Sequence, residues 1–176
     1  ISGVSVTAAG REGYLVNVSS DGTVIWEQNY AGYQELEFRD AVLASDGNLI
    51  ITGYRRVNSG DDAEIIMYKV SVAGDGVMMW RRDWGWSGND YIGEALIEFQ
   101  ERYHIISTAS DADRPNLTSI MLINTDTDGR GASSEPINTP YLRGKDIAKS
   151  PTGHMYILGN QQDPADRISK IFLAEL

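Results

Sequence analysis

The sequence predicts an all-β fold, a segment of a β-propeller with four-stranded antiparallel blades that repeat about every 53 residues. Within residues 40–86, four short apolar runs are separated by turn residues, including Ser45-Asp46-Gly47 and Gly74-Asp75-Gly76. Runs too short for helices and bounded by Asp-Gly indicate the strands of an antiparallel meander. Meanders that recur at this period, each unable to bury its faces alone, are typical of propeller blades.

The repeat is visible in two kinds of strand. Trp26 and Trp80 lie 54 residues apart, and each ends an Asp-Gly-x-x-x-Trp segment. A third turn of this kind, at 124–129, is followed by a weaker strand that lacks tryptophan. The strand that precedes a long polar loop recurs at similar spacing, at residues 47–53, 102–108 and 153–159.

This spacing divides the chain into parts of one propeller. We predict the end of a blade over 1–36, complete blades over 37–86 and 87–140, and the start of a further blade over 141–176. Closed propellers have about four to eight blades. We therefore expect the remaining blades to come from another chain or another chain segment. The first residue is Ile1 rather than Met, which we interpret as a processed chain or a piece of a larger one.

Composition excludes several function classes. A hydrophobic content of 41% with 23% charged residues is ordinary for a globular protein. The net charge of -10 argues against nucleic acid as a partner, because phosphate binding needs clustered Lys and Arg. Cysteine is absent, which excludes disulfides and thiolate chemistry. No apolar run is long enough to predict a membrane span, and no signal peptide is visible.

The central repeat resembles that of secreted bacterial β-propeller proteins. The resemblance rests on Lys69, the Asp75-Gly76 hairpin, Trp80, and a loop that reads Gly88-x-x-Tyr91 with Asn and Asp between. It implies a blade-forming protein that is exported, and so an extracellular or cell-surface location with the periplasm as the alternative. Many proteins of this kind lack a known activity, so it implies little about function.

An oxygen-rich hairpin predicts a calcium site. Its acidic and amide side chains stand at positions 1, 3, 5 and 12 of a twelve-residue loop, with glycine at position 6. This spacing matches a calcium loop, in which a hard cation collects six to eight oxygens. The alternative is an ordinary hairpin, since Asp21-Gly22 and Asp75-Gly76 occupy the same place without the extra acids. The predicted ligands are Asn124, Asp126, Asp128 and Glu135.

Aromatic residues near the end of the second blade are candidates for stacking on a sugar. Trp80, Trp84 and Trp86 share parity and would point to one face of an extended strand, which favours packing between blades. Trp86 and Tyr91 lie in the following loop and are therefore the predicted ligand-binding residues.

No catalytic residue can be assigned from the sequence. His104 and His154 are expected on different blades, without a nucleophile and acid beside either. The acidic pair Asp61-Asp62 lies in a polar loop, where solvated acids are common. The sequence therefore favours a binding or scaffolding module for a protein or a glycan, rather than an enzyme. The alternative is a fragment of a propeller enzyme, either glycan-cleaving or quinone-dependent.

Overall fold

A computed structural model describes residues 2–7, 10–137, 139–162, 164 and 168–176. These residues form a succession of β-strands joined by turns and loops, which confirms the predicted all-β fold. No helix among them has the length and apolar character needed to cross a bilayer. The strands are β1 (Ser2–Thr7), β2 (Gly10–Val18), β3 (Val24–Tyr30), β4 (Glu35–Leu43), β5 (Leu49–Arg56), β6 (Glu64–Val70), β7 (Met78–Trp84), β8 (Asn89–Phe99), β9 (Arg102–Asp111), β10 (Thr118–Asp126), β11 (Ser133–Ile137), β12 (Leu142–Lys149), β13 (Met155–Gln162) and β14 (Ser169–Glu175).

Consecutive strands pair antiparallel in four meanders. We name them meander I (β1–β3), meander II (β4–β7), meander III (β8–β11) and meander IV (β12–β14). Between meanders I and II, the strand pairing consists of one parallel pair, Arg11 with Glu35. Strand β4 begins at Glu35, close to the predicted start of the first complete blade. The blade limits drawn from the sequence stay predictions.

The first strand of each of meanders II, III and IV carries a bulge at the same place. The register shifts between Phe38 and Asp40, between Gly93 and Ala95, and between Gly144 and Asp146. A bulge leaves one residue unpaired, bends the strand and redirects a side chain. The extra residues are charged in all three strands: Arg39, Glu94 and Lys145.

Three apolar cores lie between successive meanders. Ile51 and Ile66 of meander II pack with Leu15 of meander I, and Ile65 and Met67 on the opposite face of meander II pack with meander III. Burial on both faces explains why β6 is an almost continuous apolar run, unlike the alternating strand of a one-sided sheet. The sheets therefore stack face to face like propeller blades.

The last meander leaves its far face open. Ile120 and Leu122 of β10 are 0% and 5% exposed because meander IV covers them. Their counterparts in β14 by register, Ile171 and Leu173, are 82% and 66% exposed. A contiguous apolar face of this kind is typical of an interaction surface. The arrangement points to completion by further blades.

Buried Lys69 joins meanders II and III. Its ammonium group lies 2.6 Å from an Asp46 oxygen and 3.5 Å from the Tyr103 hydroxyl. Burial by itself would lower the pKa of Lys69, but the interactions with Asp46 and Tyr103 together outweigh it and the pKa is raised. The hydrogen bond from Lys69 holds the pKa of Asp46 below its usual value. Both shifts favour the charged pair, so Lys69 is a structural cation.

The connections between strands emerge at two opposite faces. The Asp-Gly hairpins, such as 44–48 and 71–77, lie at one end, which we call the hairpin face. The connections at the opposite end define the loop face, at residues 31–34, 57–63, 85–88, 112–117 and 139–141. Backbone hydrogen bonds join neighbouring connections. Gln34 N donates to Val57 O at 3.3 Å, which joins 31–34 to 57–63, and Ala112 N donates to Gly88 O at 3.1 Å, which joins 112–117 to 85–88. The loop face is thus one continuous surface.

Candidate functional site

A cleft of about 410 Å³ opens on the loop face of meander II. It lies between the β5–β6 loop (57–63) and the β7–β8 loop (85–88). Its volume falls within the range of small-molecule sites in proteins. We call it the Trp86 cleft, and its lining residues are Val57, Gly60, Asp61, Asp62, Ala63, Glu64, Gly85, Trp86 and Ser87.

The two predicted ligand-binding aromatics have different positions in this cleft. Trp86 is 44% exposed, whereas Tyr91 is 7% exposed. Their ring centroids lie 5.0 Å apart at an interplanar angle of 63°, an edge-on contact of the kind that aromatic pairs prefer. Burial raises the pKa of the Tyr91 hydroxyl, and the neighbouring Asp62 adds to the rise. Trp86 is therefore the residue that can contact a ligand, and neutral Tyr91 supports its ring from behind.

Three carboxylates line the cleft together with Trp86: Asp61, Asp62 and Glu64. One Asp62 oxygen accepts a hydrogen bond from the Gly88 backbone N–H at 2.8 Å, which joins the two loops of the cleft. Asp61 accepts from the backbone N–H of Asn58 at 2.8 Å, and Glu64 lies 2.7 Å from the Arg55 guanidinium. A carboxylate has about four lone-pair sites. These groups keep acceptor capacity for the hydroxyl groups of a ligand.

A partly buried ion pair fixes the loops beneath the cleft. The Arg56 guanidinium lies 2.7 Å from one Asp90 oxygen, and the other Asp90 oxygen accepts from the Ala63 N–H at 2.7 Å. Burial alone would raise the pKa of Asp90, but Arg56 and the Ala63 N–H together outweigh this and hold the pKa below its usual value. Asp90 therefore stays ionised at neutral pH and holds the β5–β6 loop against the start of β8.

Two further cavities extend from the Trp86 cleft across the loop face. The first, of about 310 Å³, is lined by residues that include Asn89, Leu117 and Pro140. The second, of about 280 Å³, lies between meanders III and IV. The two cavities share Thr118, and the Gly88–Ala112 hydrogen bond links the first of them to the Trp86 cleft. We call the three hollows together the loop-face track.

Two acidic residues of the first strands differ in their hydrogen-bond partners. Glu37 of β4 is held by Arg39 at 2.9 Å, by Arg11 at 3.2 Å and by the Tyr54 hydroxyl at 3.2 Å. Glu94, the bulge residue of β8, accepts a hydrogen bond from the Thr108 hydroxyl at 3.0 Å. Three donors thus constrain Glu37, whereas Glu94 has one such donor. Both residues are partly buried.

The predicted calcium ligands are dispersed along a hairpin. Asn124 lies within β10, where its Oδ1 is 2.6 Å from Nδ1 of His104. One Asp126 oxygen accepts from the backbone N–H groups of Asp128 and Arg130, and Glu135 lies opposite Leu122 on β11. Within the described ranges, no cluster of three or more acidic or histidine residues is arranged to hold a metal. The calcium site stays a prediction.

The two histidines lie far from the loop-face track. His104 is 7% exposed and lies on β9, where its Nε2 is 3.2 Å from the Phe99 carbonyl oxygen. His154 is at the hairpin face, with Nδ1 2.5 Å from a Glu175 oxygen. Neither imidazole is placed to act on a ligand in the Trp86 cleft.

No protein-family model matches this sequence, and no match is found among curated proteins. The resemblance to secreted bacterial propeller repeats therefore stays a prediction. Solved structures, however, match in fold, and the three described next are glycoside hydrolases, with five-bladed β-propellers. Identities of 11%, 9% and 15% for the three described next show likeness of fold alone.

A xylan β-1,4-xylosidase from Bacillus halodurans matches with a TM-score of 0.64, over 98% of this chain and 37% of that chain. An exo-β-1,3-galactanase from Phanerochaete chrysosporium matches with a TM-score of 0.53, over 96% of this chain and 43% of that chain. A thermostable family-43 glycoside hydrolase matches with a TM-score of 0.53, over 98% of this chain and 70% of that chain. This chain thus spans less than half the length of the first two.

These structures correct one expectation from the sequence. The preference for a non-enzymatic module is wrong, because the solved structures that share this fold are glycoside hydrolases and the fold is therefore one that enzymes use. The sequence placed Asp61-Asp62 in a polar loop but gave no reason to join it to Trp86. The β5–β6 and β7–β8 loops meet only through tertiary contacts, such as the Asp62–Gly88 hydrogen bond.

Proposed function

We propose that this chain is part of a glycan-cleaving β-propeller enzyme, and that the Trp86 cleft on its loop face holds the sugar chain. The observation that carries the proposal is an exposed indole, supported from behind, in a cleft of about 410 Å³ that three carboxylates also line. The likeness of fold to glycoside hydrolases supports it. We place the enzyme outside the cytoplasm, where polymeric glycans are found.

The chemistry of the cleft suits a sugar. The C–H face of a pyranose ring is apolar and can lie flat on an indole, while its equatorial hydroxyl groups point outward as donors. Ligand sites in proteins combine such an apolar surface with a few fixed polar groups that set orientation. Here Asp61 and Asp62 lie on loops that hydrogen bonds hold in place. Their carboxylates can therefore accept hydrogen bonds from a sugar without the entropy cost of fixing a mobile loop.

Cleavage of a glycosidic bond needs two carboxyl groups, one of which donates a proton to the leaving oxygen. Glu94 is our candidate for one of them, because it is a bulge residue on the first strand of meander III and is only partly buried. The hydroxyl group of Thr108 fixes one of its oxygens. The second carboxyl would come from another inner strand or from a further blade.

The Trp86→Ala substitution tests the site. We expect it to lower the affinity for neutral β-linked xylo- or galacto-oligosaccharides at least tenfold, equivalent to about 1.4 kcal/mol, because the stacking surface is lost. Trp86→Phe should retain most of the affinity. Isothermal titration calorimetry of the chain with a panel of these oligosaccharides measures both effects.

The matched control is Met79→Ala, which removes a 54% exposed apolar side chain from β7 of the same meander. It should bind the panel as the parent chain does. Equal affinity of the parent chain and Trp86→Ala would contradict the assignment of the cleft. The sugars could bind without new reducing ends appearing when the complete protein is assayed. That result would contradict the proposed hydrolysis and would leave the assignment of the cleft as a sugar-binding site.

A further inference from the structure

The cavity between meanders III and IV differs in charge from the rest of the molecule. Its polar lining includes the cations Arg143 and Lys145 of β12 and the amides of Asn116, Asn160 and Gln162. No acidic side chain is among the described residues that line it. Two cations in one cavity stand out in a chain of net charge -10.

The two cations have no acidic partner among the described residues. The ion pairs of the described residues use other basic residues, such as Arg55, Arg56 and Lys69 of meander II. On β4, the bulge residue Arg39 occupies the position that Lys145 has on β12, and it is paired with Glu37. Arg143 stands in the place of Glu37 on β12, so the acidic partner is replaced by a second cation.

Arg143 and Lys145 lie two residues apart on β12, the spacing that places side chains on one face of a strand, and both line the cavity. Arg143 pairs with Asn160, and Gly144 pairs with Gly159, before the register shifts at Lys145. The Gly144 N–H donates to the Thr108 hydroxyl at 3.0 Å, which anchors the bulge to meander III. Tyr141, with φ at 63°, directs the entry of β12, and its carbonyl accepts from the Gln162 N–H at 3.0 Å. The backbone that carries both cations is thereby fixed on both sides.

We propose that this cavity binds the anionic substituent of an acidic glycan, either a uronic acid carboxylate or a sulfate ester. The inference rests on the proposed function and deepens it, since the cavity lies at the far end of the track that begins at Trp86. A guanidinium forms paired hydrogen bonds with a carboxylate or sulfate, and an ammonium adds a point charge. The three amides supply neutral donors around them. A chain with a neutral unit on Trp86 and an acidic unit in this cavity fits the track.

The experiment compares four probes on the same chain by isothermal titration calorimetry. They are tetragalacturonic acid, its methyl ester, a galactan tetrasaccharide that carries one sulfate ester, and the same tetrasaccharide without the sulfate. We expect the acid to bind at least tenfold more tightly than the methyl ester at low ionic strength, and the difference to shrink with added salt. Tight binding of the sulfated probe alone would assign the cavity to sulfate, and tight binding of the acid alone to carboxylate.

The double variant Arg143→Gln with Lys145→Gln isolates the cavity. It should abolish the preference for the acid and leave the affinity for the methyl ester within twofold. The control is Arg130→Gln, which removes an exposed cation at the hairpin face. Thermal melting of each variant checks that the exposed substitutions leave the fold intact.

Two outcomes overturn the inference. The first is that neither anionic probe binds more tightly than its neutral counterpart. The second is that the preference for the anionic probe persists in the double variant. Failure of the proposed function has a different signature, because Trp86→Ala would then leave the affinity for all probes unchanged. A preference for the acid that depends on Arg143 and Lys145 but not on Trp86 would support the anion site in this cavity. It would contradict the sugar site in the Trp86 cleft.

Discussion

The Ile120→Ala substitution is expected to lower the free energy of unfolding by about 2 to 5 kcal/mol, as is usual for truncation of a buried isoleucine. Ile120 is 0% exposed and lies in the core between meanders III and IV. The removed atoms leave a cavity that close-packed neighbours on two sheets cannot fill. Urea denaturation followed by tryptophan fluorescence measures the change.

The chain contains an internal control for this substitution. Ile171 occupies the corresponding position on β14, but it is 82% exposed. Ile171→Ala should therefore change the stability of this chain by less than about 0.5 kcal/mol. In a protein whose ring is complete, the same change should cost as much as Ile120→Ala, because a further blade would cover it. Equal costs for both variants in the isolated chain would contradict the blade arrangement.

The Gly53→Ala substitution is expected to destabilise the chain by at least about 3 kcal/mol, at the severe end for single substitutions. A Cβ atom at this position would lie 1.9 Å from the Glu37 carbonyl oxygen and 3.0 Å from Cα of Phe38. Both contacts are with backbone, which cannot rotate away. The bulge at Arg39 brings β4 this close to β5, so relief would require unpairing of these two strands.

Gly74→Ala is the matched control. Its nearest contact is the Ser71 hydroxyl at 3.0 Å, a side-chain atom that can rotate away. We expect a change within about 1 kcal/mol, measured by the same denaturation experiment. A Gly53→Ala chain as stable as Gly74→Ala would mean that β4 does not bulge toward β5.

Much of the fold could be predicted because the relevant signals are local. The Asp-Gly turn at 75–76 and the apolar run of β6 lie within a few residues of each other in sequence. The bulges at Arg39, Glu94 and Lys145 have no such signal, because a bulge depends on the register between two strands. These charged first-strand residues were therefore missed.

The candidate site was predicted only in part for a related reason. Trp86 and Tyr91 were both expected in a loop, yet Tyr91 lies on β8 and is buried. The fold brings Asn116, Arg143 and Asn160 together across two meanders. Residues so far apart in sequence carry no pattern that links them before the topology is known.

Hydrogen exchange of the backbone amides, with and without a saturating neutral oligosaccharide, tests the central claim most directly. When the oligosaccharide binds, we expect slower exchange in the loop-face segments 57–63 and 85–91. Exchange in the hairpin-face segments 71–77 and 126–130 should be unchanged. Protection confined to the hairpin face, or none at concentrations that saturate binding, would contradict a sugar site at Trp86.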